Sequence, residues 1–199
     1  MNYVLLALSW IVFYALHSIL AASKIKRILQ GKSGNAFKWY RLLYTLISLI
    51  LFLGIVLQSL FIPKYVLIPK SDLTNYLGYM LAGLGTIIAT KSSKHYSVKR
   101  FLGFESSAKN DKILITSGLY AKVRHPLYGG LALIFLGYFL FAGSITSVVH
   151  LVCLLLYLPV GIYFEEKNLV HQFGEAYQKY KSEVPAIMPK IGGFLKIDT

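Results

Sequence analysis

Apolar residues occur in long uninterrupted blocks along the chain, separated by segments rich in lysine and arginine. Uncharged blocks of membrane-spanning length cover Asn2–Ser23, Leu42–Pro63 and Leu73–Thr90. A fourth block, Pro126–Phe164, has 39 residues, enough for two helices at ~20 residues each. Its middle, residues 142–144, reads Ala-Gly-Ser and supplies a tight turn. The pattern therefore predicts an all-α, polytopic membrane bundle of five transmembrane helices in one domain.

Lysine and arginine are distributed unevenly among the segments that connect these blocks. Segments 24–41, 91–125 and 165–199 contain six, eight and five of them, and the other side of a five-helix chain has only Lys64 and Lys70. Cytoplasmic loops of membrane proteins carry the excess of these residues. The division of 19 to 2 therefore predicts an N-terminus outside and a cytoplasmic C-terminus.

Composition agrees with burial in a bilayer. Hydrophobic residues make up 56% of the chain and charged residues 15%, well below the charged content of a soluble domain. A net charge of +13 can indicate nucleic-acid binding, but here the basic residues lie between apolar blocks, which favours membrane orientation. Cys153 is the single cysteine, which excludes an intrachain disulfide and a CxxC metal site.

An arginine, a histidine and a proline directly precede the longest uncharged block, in the stretch VRHPLYGG. Pro126 suits the first turn of a helix, where a missing N–H costs nothing. The free N–H groups of that turn and the helix dipole favour an anion nearby, and Arg124 adds a planar bidentate donor. This corner is therefore a candidate site for an anionic group.

The same block ends at two acids, Glu165 and Glu166. In a chain with five spans, these acids lie at the same face of the membrane as Arg124. Adjacent helix residues point about 100° apart, so one of the two is expected to face the bundle interior. A zwitterionic ligand with hydroxyl groups fits this combination; S-adenosylmethionine is one such ligand, and other polar ligands remain open. An interfacial anchor and a solvated acidic pair explain the same residues without any ligand.

Two segments resemble a known family. They are TSGLYAKVRHPLYGG, residues 116–130, and EEKNLVHQFGEAYQKYKSEVPAIMP, residues 165–189. The pattern G-x-Y-x-x-x-R-H-P-x-Y-x-G, a span, then E-E-x-x-L-x-x-x-F-G-x-x-Y-x-x-Y is similar to the integral-membrane methyltransferases, among them isoprenylcysteine carboxyl, phospholipid N- and methanethiol S-methyltransferases. The resemblance covers residues 109–189, which it identifies as the cofactor-binding half of a single domain, 1–199.

The resemblance implies S-adenosylmethionine as the cofactor, bound at the cytoplasmic ends of the last helices, with an acceptor entering from the membrane. By motif position the cofactor-binding residues are Gly118, Tyr120, Arg124, His125, Pro126, Tyr128, Gly129, Glu165 and Glu166. Arg124 and Glu165 are the catalytic candidates: Arg124 is expected to anchor the cofactor carboxylate, a glutamate to bind its amine or ribose, and either residue to orient the acceptor. Methyl transfer from a sulfonium requires no metal.

The resemblance also implies that a cytoplasmic helix from Asn168 to Tyr180 covers the site. One position departs from the pattern of the carboxyl methyltransferases: they have a histidine where this chain has Lys112, in KILIT, which argues against that subgroup. A prenylated cysteine, an aminophospholipid and a small thiol all remain open as acceptors.

Other readings compete with this one. A non-enzymatic membrane protein that binds anionic lipid through its basic loops is the alternative class. Gly83-Leu84-Gly85 matches a G-x-G proposed for the phospholipid enzymes, but small residues also let membrane helices approach closely. His17 lines an acceptor cavity or bonds to the backbone of a neighbouring helix.

Overall fold

The structure, a computed structural model, describes residues 1–21, 34–94 and 113–189. Within these ranges the chain forms six α-helices and a short 3-10 helix, and its strand-like pairing is one isolated bridge between Val66 and Ser144. The helices are α1 (Asn2–Ala21), α2 (Gly34–Leu60), α3 (Asp72–Ser93), α4 (Pro126–Ala142), α5 (Ile145–Phe173) and α6 (Glu175–Glu183), with the 3-10 helix at Gly118–Ala121. The all-α prediction is confirmed.

Local sequence explains where the predicted hairpin turns. Gly143 ends α4 in the left-handed conformation, with φ +58°, which glycine adopts without steric cost. Ser144 then begins α5 with a capping box, in which its hydroxyl accepts from the N–H of Ser147. The turn expected at residues 142–144 is confirmed.

The helices pack in the order α2, α1, α5, α4, α3, each against the next. The α3–α4 contact is the closest, because glycines face each other across it. A Cβ on Gly85 would lie 2.5 Å from the carbonyl oxygen of Gly130, and one on Gly78 would lie 2.9 Å from that of Gly137. At Gly83, by contrast, no described residue comes within 4 Å of such an atom. Close helix approach therefore explains Gly85 but not Gly83.

Helices α1, α2 and α5 share an apolar core around Trp10, which is 2% exposed. Leu6, Ile55 and Ile62 surround it. The indole Nε1–H donates to Nδ1 of the buried His150 on α5 at 2.8 Å. This hydrogen bond satisfies both polar groups inside the bundle and fixes α1 against α5.

The α2–α3 connection and the α4–α5 turn meet at one end of the bundle, where the N–H of Leu67 donates to the carbonyl of Gly143 at 2.6 Å. At the other end, the hydroxyl of Tyr120 donates to the carbonyl of Ser92 at 3.4 Å. Helices α3 and α4 therefore run between the same two ends of the bundle.

Three helices in the described ranges are long and apolar enough to cross a membrane: Asn2–Leu20, Leu42–Leu60 and Ile145–Phe173. Pro126–Ala142 is apolar but shorter. An apolar helical bundle is thus confirmed, and the count of five spans stays a prediction.

The predicted helix from Asn168 to Tyr180 is wrong in its bounds. Helix α5 continues past the acidic pair to Phe173, because residues 162–173 contain neither proline nor glycine to end it. The break comes at Gly174, with φ +58°, and α6 follows as a separate short helix.

Candidate functional site

The segment before α4 is paired along its backbone with the C-terminal segment. The N–H of Arg124 donates to the carbonyl of Pro185 and the N–H of His125 to that of Ala186, both at 2.8 Å. His125 is the N-cap of α4, and Pro126 occupies its first turn, as expected; the structure also buries this proline. The corner is therefore enclosed by chain that lies about sixty positions away.

The guanidinium of Arg124 binds one side chain and two carbonyls. Nε and Nη2 both donate to Oε1 of Glu166, at 2.9 and 2.7 Å. Nη1 donates to the carbonyl of Lys181 at 2.9 Å and to that of Val184. Direct binding of another carboxylate by Arg124, as the sequence predicted, therefore requires these partners to exchange.

Glu166 is the acid that faces the interior. Its side chain is 8% exposed, and Oε1 lies 3.2 Å from Nε2 of His125 in addition to the contacts from Arg124. Its second oxygen, Oε2, lies 2.6 Å from Nζ of Lys181. This carboxylate of α5 thus joins the segment before α4 to α6.

Glu165 occupies the other side of the histidine. Its side chain is 41% exposed, and Oε2 lies 3.5 Å from Nδ1 of His125. It also lies beside the hydroxyl of Tyr128, whose ring centroid is 5.6 Å from that of His125. The imidazole stands between two carboxylates, and in its neutral form it donates to only one of them.

The two acids differ in their positively charged partners. In the part of the chain that the structure describes, the ion pairs of Glu166 include Arg124 and Lys181, whereas Glu165 is paired with His125 alone. Among the described residues, therefore, no permanently charged side chain balances the negative charge of Glu165 by direct contact. A carboxylate that is half exposed in this way is able to accept hydrogen bonds from a cationic or hydroxylated ligand.

The remaining predicted residues lie around this cluster. The carbonyl of Tyr120 accepts from the hydroxyl of Tyr180 at 2.5 Å. A Cβ on Gly129 would lie 3.5 Å from Cγ2 of Ile187, so this glycine also faces the C-terminal segment. Gly118 opens the 3-10 helix with φ +64° and has open space beside it.

Residues 73–176, just over half of the chain, match the protein family described as phospholipid methyltransferase. The chain belongs to this family. The prediction of an integral-membrane methyltransferase family from the two motifs is thus confirmed.

Named relatives are methyltransferases of two kinds. The methanethiol S-methyltransferase of Crocosphaera subtropica is 35% identical over 124 residues, which cover 57% of this chain and 47% of that protein. Methanethiol S-methyltransferase 2 of Bradyrhizobium diazoefficiens is 28% identical over 197 residues, 90% of this chain and 70% of that protein. The human protein-S-isoprenylcysteine O-methyltransferase is 30% identical over 164 residues, 78% of this chain and 54% of that protein. The chain thus spans about half the length of the first and third.

Three polar side chains at the cluster lie beyond the family match, which ends at residue 176. Lys181 and Tyr180 bond to the cluster as described above. Tyr177 is 1% exposed, and its hydroxyl lies beside Arg124 without a well-aligned hydrogen bond to any described residue. The family pattern marks both tyrosines, but the sequence analysis placed them only in the covering helix expected from Asn168 to Tyr180 and gave no role to Lys181.

An open cavity of about 340 Å³ adjoins the cluster. It is bounded by the segment before α4 and by the C-terminal segment; its lining is Leu114, Thr116, Ala121, Ala176, Lys179, Tyr180, Glu183 and Val184. The predicted site residues do not line it, although Tyr180 and Val184 touch them. The open space is thus lined by other residues of these two segments, and Tyr180 and Val184 are shared between it and the cluster.

Two weaker candidates lie apart from the cluster, and a third is not described. His17 contacts Ser48 at 3.2 Å and Tyr44 at 3.1 Å, on the neighbouring helix α2. Gly83 lies in α3, away from Arg124 in the helix order. Lys112, the position that departs from the carboxyl methyltransferases, lies outside the described residues.

Proposed function

We propose that this chain is an integral-membrane methyltransferase that transfers a methyl group from S-adenosylmethionine to a lipid-like, thiol or carboxylate acceptor. Membership of the phospholipid methyltransferase family supports the class of reaction. The observation that carries the proposal is Glu165, a half-exposed carboxylate held beside a buried ion-paired cluster at the end of apolar helices.

The groups in and around the cluster suit the chemistry of this cofactor, which carries a sulfonium, an amine, a carboxylate and ribose hydroxyls. Glu165 suits the amine or the ribose. The first turn of α4, which begins at Pro126 and has no side-chain cap, offers free N–H groups and the positive end of the helix dipole for the carboxylate. The buried hydroxyl of Tyr177 is available to a further polar group. The residues present therefore fit S-adenosylmethionine.

S-adenosylmethionine supplies a methyl group on a positively charged sulfur, which an aligned nucleophile attacks without help from a metal. The contribution of the protein is then to position the reactants and to exclude water. Glu165 binds and orients, His125 orders the two carboxylates, and Gly118, Tyr120, Pro126, Tyr128 and Gly129 shape the pocket.

The acceptor reaches this site from the membrane or from the cytoplasm. The relatives named above act, by their names, on methanethiol or on isoprenylcysteine. Large exposed apolar side chains along α1 and α2, such as Ile11 and Ile50, suit a lipid environment from which a hydrophobic acceptor enters. Small thiols, prenylated cysteines and aminophospholipids are the acceptor classes to compare.

The site is proposed to lie at the cytoplasmic face, with the N-terminus outside. The charge division of 19 to 2 supports this orientation. The structure adds that α3 and α4 run between the same two ends of the bundle, as two further spans require. Five spans then place Arg124 and Glu166 on the side of the basic segments.

The test is transfer of labelled methyl from S-adenosylmethionine to a panel of a small thiol, a prenylated cysteine and phosphatidylethanolamine by the purified full chain. Labelled product from at least one acceptor, identified by mass, is the expected result, with Glu165→Gln losing most of it. Lys167→Gln, an exposed change next to the acidic pair, serves as the control. Binding of anionic vesicles with neither cofactor binding nor transfer would instead support the non-enzymatic class.

A further inference from the structure

We define residues 177–187 as the C-terminal strap. Both backbone and side-chain groups of the strap form hydrogen bonds with the segment before α4. Its carbonyls accept from the backbone N–H groups of Arg124 and His125. Other strap carbonyls accept from the guanidinium of Arg124, and the hydroxyl of Tyr180 donates to Tyr120. The strap is thus an integral wall of the site.

Arg124 has little capacity left for a ligand. Of the five N–H donors of a guanidinium, the structure engages four: two with Glu166 and two with strap carbonyls. A bidentate grip on a ligand carboxylate needs two parallel donors from the same edge. The single N–H that remains, on Nη2, does not supply this.

Glu166 is similarly engaged. Arg124 and His125 occupy Oε1, and Lys181 of the strap approaches Oε2 at 2.6 Å. With both oxygens committed and 8% exposure, this carboxylate has little surface to offer a ligand. Glu165, at 41% exposure and without an Arg or Lys partner among the described residues, has that surface.

We infer that Arg124, Glu166 and Lys181 fasten the strap over His125, and that Glu165 is the ligand-binding carboxylate of the pair. Arg124 and Lys181 are then positioning residues, which act on a ligand through the strap. The fastening rests on contacts alone, whereas the identity of the ligand rests on the proposed function.

Lys181 is the informative position. Its side chain is 48% exposed, so its replacement leaves no buried cavity, and Arg124 keeps its bonds to Glu166. Lys181→Met therefore removes the ionic link between the strap and α5 while the rest of the cluster stays intact. Lys181→Arg preserves the charge, and Lys167→Met is the matched loss of an exposed lysine next to Glu166.

The first measurement is amide hydrogen exchange in detergent, on peptides that contain Arg124–His125 and the strap. Lys181→Met and Glu166→Gln are expected to raise exchange there about tenfold, because opening of the strap exposes these amides. Lys181→Arg, Lys167→Met and Glu165→Gln are expected to match the wild type. Unchanged exchange in both Lys181→Met and Glu166→Gln overturns the fastening.

The second measurement is the affinity of the same proteins for S-adenosylmethionine. Glu165→Gln is expected to weaken binding about tenfold with unchanged exchange, as loss of a charge-assisted hydrogen bond does. Lys181→Met is expected to weaken it together with faster exchange, and Lys181→Arg to restore both. Full affinity in Glu165→Gln overturns the assignment of that residue. Absence of binding by the wild type removes the proposed function and this assignment, whereas the fastening is decided by exchange.

Discussion

The guanidinium of Arg124 donates from Nε and Nη2 to the same oxygen of Glu166, at 2.9 and 2.7 Å, across 42 positions of sequence. The two side chains are 10% and 8% exposed, so the pair is largely shielded from water. Removing one member of a shielded pair leaves the other charge without compensation, which costs more than the pair itself contributes. The contact therefore ties the start of α4 to the far part of α5.

Replacement of the two neighbouring acids is expected to separate their effects on stability. Glu166→Ala leaves Arg124 uncompensated and should lower the free energy of unfolding by about 3 kcal/mol. Glu165→Ala removes a half-exposed group and should lower it by less than about 1 kcal/mol. Unfolding of the purified variants in mild detergent measures both. Equal losses would contradict the assignment of Glu166 as the buried partner.

The close contact between α3 and α4 can be tested by alanine substitution of two glycines of α3, one inside the contact and one outside it. Gly85→Ala places a methyl group 2.5 Å from the carbonyl of Gly130, so the helices must separate, at a cost of about 1–3 kcal/mol. Gly83→Ala meets open space and is expected to be neutral or to stabilise the helix by up to about 1 kcal/mol. The midpoint of thermal unfolding in detergent tests the pair. A larger loss for Gly83→Ala would show that the packing assignment is wrong.

The two tryptophans give a second matched comparison. Trp10→Phe keeps an aromatic ring in the core but leaves Nδ1 of His150 without its donor, which is expected to cost about 1–3 kcal/mol. Trp39 is 63% exposed, and Trp39→Phe should change the unfolding midpoint little. If both variants unfold at the same temperature, the buried hydrogen bond contributes nothing to the bundle.

Orientation can be read from cysteine labelling in a Cys153→Ala background. Five spans predict that Lys70→Cys reacts with a membrane-impermeant maleimide in intact cells, because it lies on the outer side. Ser117→Cys and Glu183→Cys are expected to react only after permeabilisation. If Ser117→Cys and Glu183→Cys label from opposite sides, then α4 and α5, which separate these two positions, do not both cross the membrane.

Block length and the charge between blocks were sufficient to predict the apolar helices, because a bilayer imposes long apolar blocks that are visible in any one sequence. The turn at Gly143 was also predictable, since glycine followed by a serine cap is a local signal. The end of α5 was placed wrongly because the charged pair was taken as its limit. A helix ends where its backbone is broken, at Gly174, and not where its side chains become polar.

The sequence was sufficient to predict most residues of the site, but not the contacts between them. The two motifs mark Arg124 and Glu166, and nothing in either motif states that they bind each other. Lys181 is not a fixed position of either motif, and its Nζ reaches Glu166 only because the strap folds back over the site. Pairing between segments so far apart in sequence depends on tertiary structure, which patterns along the chain do not encode.

The most direct test of the account is a binding isotherm of S-adenosylmethionine with the purified full chain, for the wild type, Glu165→Gln and the control Lys167→Gln. We predict saturable binding by the wild type and the control, and affinity at least about tenfold weaker for Glu165→Gln, as expected from the loss of one charge-assisted hydrogen bond. Absence of saturable binding by the wild type, or equal affinity in all three proteins, would contradict the central claim that this cluster holds the methyl donor.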